Sequence, residues 1–496
     1  MPRPAPLSLA ALSLLAAAAA AAAPPAYLPK LARPEVTKLE SAGQGGDEAI
    51  ILIMICPSRP DRFSVYGFDK PTTEHLAKIA DDGIAFSRVY ANAPWTRAGS
   101  ASVFTGLNAS RHNVQRDVDK LSPKLPTLAQ RLKRAGYRTG GFVANGNASS
   151  LGHLHRGFDL YRDSQSHWHK LASDTEVVDE ALAWIDTVKG QKFFATLFFV
   201  DPHDPYQAPA EYEKKWLPEG FKGEPRRRAS WEYKNDYPEA ERQQLLALYD
   251  AGLDYADDQI GRLVAALKER GLYDKATIVM TGDHGEGFGE HGYYLHAHHL
   301  EEEIVRLPLI VKRPGLKPTG GYSDVLTNQA DVVPTILEVA GVKQAKELKG
   351  LPLLSTMAGA GVPAERVVFS EYNEFGIRRA AIVRRDAKLI LERPAYEKYL
   401  RVRLNNRLDL LPTVSFDKEV MTFYRLDQDP FEKTNAWTPG DPVAEPLLTQ
   451  LRAFIADGAE QEDGVEKWCK KRRKSCKKTL DAWEQEKQAA AGKPEG

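Results

Sequence analysis

Cysteine is scarce in this 496-residue chain, with residues Cys56, Cys469 and Cys476 making up the whole complement. That excludes a small domain built on disulfides and leaves the fold to a hydrophobic core. An excess of one charge is missing too. The 67 Lys and Arg balance 67 Asp and Glu, so no overall field recruits nucleic acid or an anionic membrane, and no nucleic-acid partner is expected. Past the N-terminus no segment reaches the roughly 18 apolar residues that a membrane span needs. The opening MPRPAPLSLAALSLLAAAAAAAAPPA sets Arg3 before an Ala/Leu run and small-residue cleavage sites. Residues 1–23 therefore read as a signal peptide, which makes the protein secreted or periplasmic; a retained membrane anchor is the alternative. Cys469 and Cys476 could pair in such a compartment. On one continuous helix, however, they would lie about 10.5 Å apart, too far for a disulfide.

What is present is a long alternation of apolar runs and amphipathic stretches. AIILIMI (49–55), RTGGFVA, FFATLFFV and ATIVMTG read as buried strands; PTTEHLAKIADDGIAF, with its end at Asp82-Gly83, TLAQRLKRAGY, DTEVVDEALAWIDTV and LLALYDAGLDYADDQIGRLVAALKERG read as helices. Strand and helix in turn imply a mainly parallel sheet flanked by helices, an α/β domain over 48–349. After about residue 350 the texture shifts to RVVFSEY, AAIVRRDAKLILE and MTFYRLDQDP, followed by EPLLTQLRAFIADG. This predicts a smaller antiparallel-sheet domain over 350–458. Residues 459–496, with KWCKKRRKSCKK, form a basic tail.

Polar clusters follow several of the predicted strands, where ligands bind in such sheets. ATIVMTG delivers Asp283 and His284, an oxygen and a nitrogen donor suited to a divalent metal, between Gly282 and Gly285. Gly287, Gly289 and Gly292 spell GxGxxG, but no helix pattern follows, which argues against a dinucleotide site. His291, His296, His298 and His299 crowd a short stretch ahead of Glu301, Glu302 and Glu303; such imidazoles can ligate a metal or move a proton. VDPHDPY stiffens a loop carrying Asp201, His203 and Asp204. In NAPWTRAGSASVFTG, Thr96 and Arg97 precede a small-residue run able to open a helix toward an anion.

Taken together, YGFDKPTTEHLAKIADDGIAFSRVYANAPWT, ASVFTGLNASRH, PTLAQRLKRAGYRTGGFVAN, DPHDPY, GDHGEGFGEHG, EEEIVRLPLIV and YRLDQDPFEKTN occur in an order that resembles the sulfatase family of the alkaline phosphatase superfamily, over roughly residues 48–440. The resemblance implies an N-terminal α/β domain holding divalent metal and a nucleophile that attacks sulfur or phosphorus, with a smaller antiparallel-sheet domain beside it. By position it makes Asp283 and His284 metal ligands, puts Thr96 at the nucleophile position, makes His203 and His291 substrate contacts, and likens His296 to the residue that stabilises the leaving oxygen. Arg97, His203 and His298 are the candidate substrate-binding side chains.

Two departures shape the expected chemistry. Where the family carries an Asp, or two, after the first strand, this chain has Cys56 and Pro57; and Thr96 is followed by Ala98, Gly99 and Ser100 without the family's proline, serine and arginine. CPSR at 56–59 lacks the intervening residue of C-x-P-S-R and sits at the metal-ligand position, so no formylglycine is expected. The expected cofactor is one divalent metal, Ca²⁺ or Mn²⁺, or Zn²⁺ if Cys56 ligates. Asp61 reaching back, or no metal at all, are the other arrangements. The function read from this is an exported hydrolase or transferase of sulfate or phosphate esters, acting through Thr96 on a small or polymeric anionic substrate. The alternative is a degenerate member that binds an anionic ligand or partner without turnover. Lys214, Lys215 and Arg226 to Arg228, in the loop between Tyr206 and Tyr237, would suit such a substrate.

Overall fold

A computed structural model describes residues 33–458 apart from 34, 42, 44, 165–166, 168–171, 226–236, 317–320, 364, 375, 398–399, 402–403, 405–407 and 409–413, together with 476, 478 and 481. The signal-peptide assignment, most of the basic tail, Cys469 and the Arg226 to Arg228 run lie outside the described residues. Cys56 is free, and Cys476 is disulfide-bonded.

The apolar run Ala49–Ile55 forms β1, fully buried at the centre of a nine-stranded sheet. Its alternate residues serve two cores. Ile50, Leu52 and Met54 face one, and Ile51, Ile53 and Ile55 the other. A strand covered on both faces has no polar side, which is why it reads as continuous hydrophobicity; burying each such side chain contributes about 1.5–3 kcal/mol. The remaining strands of this sheet and its hairpin appendage are β2 (Ile84–Tyr90), β3 (Arg138–Val143), β4 (Leu160–Asp163), β5 (Phe193–Phe199), β6 (Ala276–Gly282), the hairpin β7 (Gly287–Phe288) and β8 (Tyr294–Leu295), β9 (Arg306–Lys312), β10 (Gly321–Ser323) and β11 (Thr327–Asn328). The order is β10-β2-β9-β6-β1-β5-β3-β4, with β11 also on β2. The sheet is mixed. β9 runs antiparallel to both β2 and β6, while β1, β3, β4, β5 and β6 are mutually parallel.

Helices α1 (Glu74–Asp81), α2 (Thr96–Thr105), α3 (Leu128–Arg134), α4 (Asp174–Thr187), α5 (Ala210–Trp216), α6 (Glu239–Glu269) and α7 (Val332–Val339) flank it. Apolar residues of α2, α3 and α7 fill one core, and those of α1, α4 and α6 the other. A second, antiparallel sheet holds β12 (Val368–Glu374), β13 (Ile377–Val383), β14 (Ala387–Arg393) and β15 (Val420–Arg425). Leu447, Leu448 and Leu451 of α8 (Ala444–Asp457) pack on Leu389, Leu391 and Phe423 of that sheet. Among the described residues no helix is long and apolar enough to cross a membrane.

Strand register is what builds the site. Ile55 of β1 pairs with Phe199 of β5 and with Gly282 of β6, and Val143 of β3 pairs with Phe198. The chain therefore leaves β1, β3, β5 and β6 at one edge, carrying Cys56, Asn145, the 200–206 loop and Asp283 to the same row.

Candidate active site

Backbone contacts fix that edge. Cys56 N–H donates to Phe199 O at 3.1 Å, and Ser58 N–H donates to His284 O at 2.9 Å. Gln329 Nε2 donates to the carbonyls of Gly282 and Asp283, at 2.9 and 2.8 Å. On the opposite wall, α2 begins at Thr96 and is buried along its whole length. Its small residues let it approach closely: a Cβ on Gly99 would fall 2.5 Å from Asp283 O.

Four side chains meet between these walls. Thr96 Oγ1 lies 3.1 Å from His284 Nε2 and 3.5 Å from Cys56 Sγ. Cys56 Sγ is 3.7 Å from His284 Nε2, and Asp283 Oδ2 is 3.4 Å from that nitrogen. His284 Nδ1–H donates to Gly285 O at 2.8 Å, which leaves Nε2 as the nitrogen facing the cluster. Asp283 Oδ1 accepts from His284 N–H, which turns its buried Oδ2 toward His284 Nε2.

Cys56, Asp283 and His284 thus form a cluster able to hold an ion, and their chemistry can be tested against candidates. Tetrahedral zinc, with bonds of about 2.3 Å to sulfur and about 2.0–2.2 Å to nitrogen or oxygen, keeps its donors about 3.3–3.6 Å apart. The four separations given above, 3.1 to 3.7 Å, come within about 0.2 Å of this range. Ca²⁺ wants about six to eight oxygens, and this cluster offers one carboxylate and one hydroxyl. Asp61 does not supply another, because it pairs with Arg59 at 2.8 Å. The donors fit a soft or borderline divalent ion.

Burial governs the protonation of the cluster. It pushes the Cys56 thiol well above its usual range, with the Asp283 charge adding to the effect, and raises Asp283 to about 7. It holds His284 well below the usual imidazole range, helped by His296. A bound cation inverts that logic by stabilising thiolate and carboxylate.

The outer residues divide. His296 stacks on His284 with ring centres 4.1 Å apart, and His203 meets His296 edge-on at 5.1 Å. His203 Nδ1–H donates to Asp204 O at 2.7 Å. His291 is drawn elsewhere, with Nδ1 at 2.7 Å from Glu303 and Nε2 at 3.0 Å from Glu432 O; burial opposes its charge, but the Glu303 hydrogen bond and charge push it up to about 10. His298 is buried, its ring 6.4 Å from Tyr293 and 6.5 Å from Tyr372, and burial lowers it to about 3. Arg97 turns its guanidinium to the carbonyls of Asp117 and Asp119. Neither His291 nor Arg97 touches the Thr96 cluster.

Two neighbours were not singled out in the sequence. Asn145 Nδ2 lies 3.3 Å from Cys56 Sγ and 3.5 Å from Thr96 Oγ1. Glu286 Oε1 holds His296 Nδ1 at 3.0 Å, and burial raises this carboxyl to about 8. Each has a signal of a kind: Asn145 is the first polar residue after a predicted strand, and Glu286 lies in the glycine-rich turn after another.

The mixed sheet and the cluster at its edge define an α/β protein with the framework of a sulfate- or phosphate-ester hydrolase. The chain belongs to the sulfatase family, whose model matches residues 49–342. It is 25% identical to the choline-sulfatase of Rhizobium meliloti (strain 1021) over 495 aligned residues, covering 85% of this chain and 90% of the relative. The protein BT4656, solved in complex with its substrate D-glucosamine-2-N,6-O-disulfate, shares the fold with a TM-score of 0.67 and 20% identity, over 84% of this chain and 100% of that one. The phosphonate monoester hydrolase of Agrobacterium radiobacter does so with a TM-score of 0.64 and 19% identity, over 82% and 95%.

Proposed function

We propose that the protein is an exported hydrolase of sulfate or phosphate esters that uses Thr96 as its nucleophile. The observation that carries this reading is the aim of the Thr96 hydroxyl, which points into the Cys56, Asp283 and His284 cluster from the first residue of a buried helix. A divalent ion held by Cys56, Asp283 and His284 would lower the pKa of that hydroxyl and offset charge on the ester oxygens.

The chain's own residues supply the rest. Thr96 loses its proton to solvent and its Oγ1 bonds to sulfur or phosphorus, while the bond to the leaving oxygen breaks. Burial keeps His296 neutral, and with Nδ1 on the Glu286 carboxyl and His203 beside it, the ring is placed to hand a proton to that oxygen while taking the Glu286 proton in return. Water then cleaves the threonine ester, releasing inorganic sulfate or phosphate and restoring the hydroxyl. The relatives whose names or titles mention sulfatase, a disulfated sugar or a phosphonate monoester support this substrate range.

Binding without turnover is the second reading, and one observation favours it: Thr96 is 1% exposed and Cys56, Asp283 and His284 are 0% exposed. Metal-supplemented protein assayed on an aryl sulfate, a phosphate monoester and a phosphonate monoester separates the two. Hydrolysis of at least one, abolished in Thr96→Ala and partly kept in Thr96→Ser, is the expected result. Turnover that survives Thr96→Ala removes Thr96 from the chemistry, and no turnover on any ester leaves the binding reading.

A further inference from the structure

We infer that Asn145 is the positioning residue that holds the sulfur and hydroxyl donors of the Cys56, Asp283, His284 and Thr96 cluster, and that the thiol at position 56 makes this cluster select a zinc-class ion over calcium. This deepens the proposal above, since it names the ion that the Thr96 reading calls for.

Asn145 follows β3 by two residues and is 5% exposed. Its Oδ1 accepts the Asn147 backbone N–H at 2.8 Å, which fixes the amide so that Nδ2, the donor end, faces the cluster. From there it reaches Cys56 Sγ at 3.3 Å and Thr96 Oγ1 at 3.5 Å. An N–H directed at sulfur favours the thiolate, the form that binds metal, and orients its lone pairs. The same amide gives the Thr96 oxygen a donor, so the sulfur and the hydroxyl are set by one group. The other two donors are held from the backbone: His284 through Gly285 O, and Asp283 through the His284 N–H.

Selectivity follows from the replacement at position 56. A thiolate, an imidazole, a carboxylate and an alcohol suit Zn²⁺ by their chemistry, and they leave Ca²⁺ short of both oxygens and coordination number. On binding, the Cys56 S–H bond is exchanged for a sulfur–metal bond and the proton goes to solvent.

The test uses full-length protein stripped of metal by a chelator and titrated with Zn²⁺, Ca²⁺ and Co²⁺. The expected result is one Zn²⁺ per chain that excess Ca²⁺ does not displace. The Co²⁺ form should show a near-ultraviolet thiolate-to-cobalt band and the strong visible bands of a tetrahedral ion. Cys56→Ser should lose the near-ultraviolet band. Asn145→Ala should keep one ion per chain, bind it about 10–100-fold more weakly and shift that band. A merely structural Asn145 would lower thermal stability and leave the band in place, which would overturn its positioning role. Weak, octahedral Co²⁺ spectra, or Ca²⁺ binding in preference to Zn²⁺, would overturn the zinc assignment. Should Thr96→Ala retain turnover while the cobalt spectrum is as expected, the zinc site stands and the nucleophile proposal fails.

Discussion

Gly99→Ala probes the spacing on which the site depends. The new methyl group would lie 2.5 Å from Asp283 O and 3.2 Å from Asp283 C. Ordinary contact begins near 3.4 Å, so α2 must retreat from the end of β6 by about 0.9 Å, the difference between those values. Overpacking of this kind costs about 1–3 kcal/mol, offset by about 1 kcal/mol because alanine favours a helix over glycine. The net loss of stability is then at most about 2 kcal/mol, and the protein stays folded at room temperature. Catalysis is hit harder. A displacement of about 1 Å between reacting groups costs on the order of 100-fold, so kcat should fall by about that factor. Urea unfolding gives the stability and steady-state hydrolysis of an aryl ester gives the rate. A variant that keeps full turnover and full metal affinity would refute the claim that α2 sets Thr96 against Asp283.

Other outcomes follow from the same geometry. Burial holds His112 and His298 down to about 3, so the folded state keeps them neutral while the unfolded chain protonates below about 6.5. Their contribution to stability is complete above about pH 6.5 and is lost as pH falls toward about 3, at about 1.4 kcal/mol per pH unit for each; thermal unfolding across that window should show the slope, and His112→Gln should remove one share of it. Lys388 of the second sheet is buried between Glu432 at 3.0 Å and Glu302 at 3.4 Å; Glu302 also holds Arg306 at 2.6 Å, so Lys388→Met strands the Glu432 carboxylate and should cost about 3–5 kcal/mol in urea unfolding. Glu286→Gln keeps a side chain of the same shape beside His296 Nδ1 but has no carboxyl proton to exchange with it; it should lower kcat more than it changes KM, as expected of a residue that acts through His296.

Much of the fold is legible in the sequence because β1, β5 and β6 are seven-residue apolar runs followed by turns. The sheet's mixed character is not. β2 follows α1 after a short turn at Gly83, so IAF blends into the helix pattern, and the direction of β9 depends on pairing with strands far along the chain. The run AAIVRRDAKLILE splits into β13 and β14 around Arg384, Arg385 and Asp386, a turn that charged residues disguise as solvated strand. In the site, Cys56, Asp283 and His284 stand out because they end strands and Thr96 because it opens a helix. Asn145 is harder to see, since an amide shows its use only when register sets it against a thiol. His291 illustrates the opposite case. Its sequence neighbours suggest the cluster, but the Glu432 carbonyl, 141 residues away, and Glu303 claim both ring nitrogens.

In the proposed reaction one threonine oxygen forms the bond to sulfur or phosphorus. Quenching metal-loaded protein during turnover and mapping its peptides by mass spectrometry tests this most directly. One sulfuryl or phosphoryl group should be found on Thr96, absent from Thr96→Ala. A modified residue elsewhere, or turnover with Thr96 unmodified at every quench time, would contradict it.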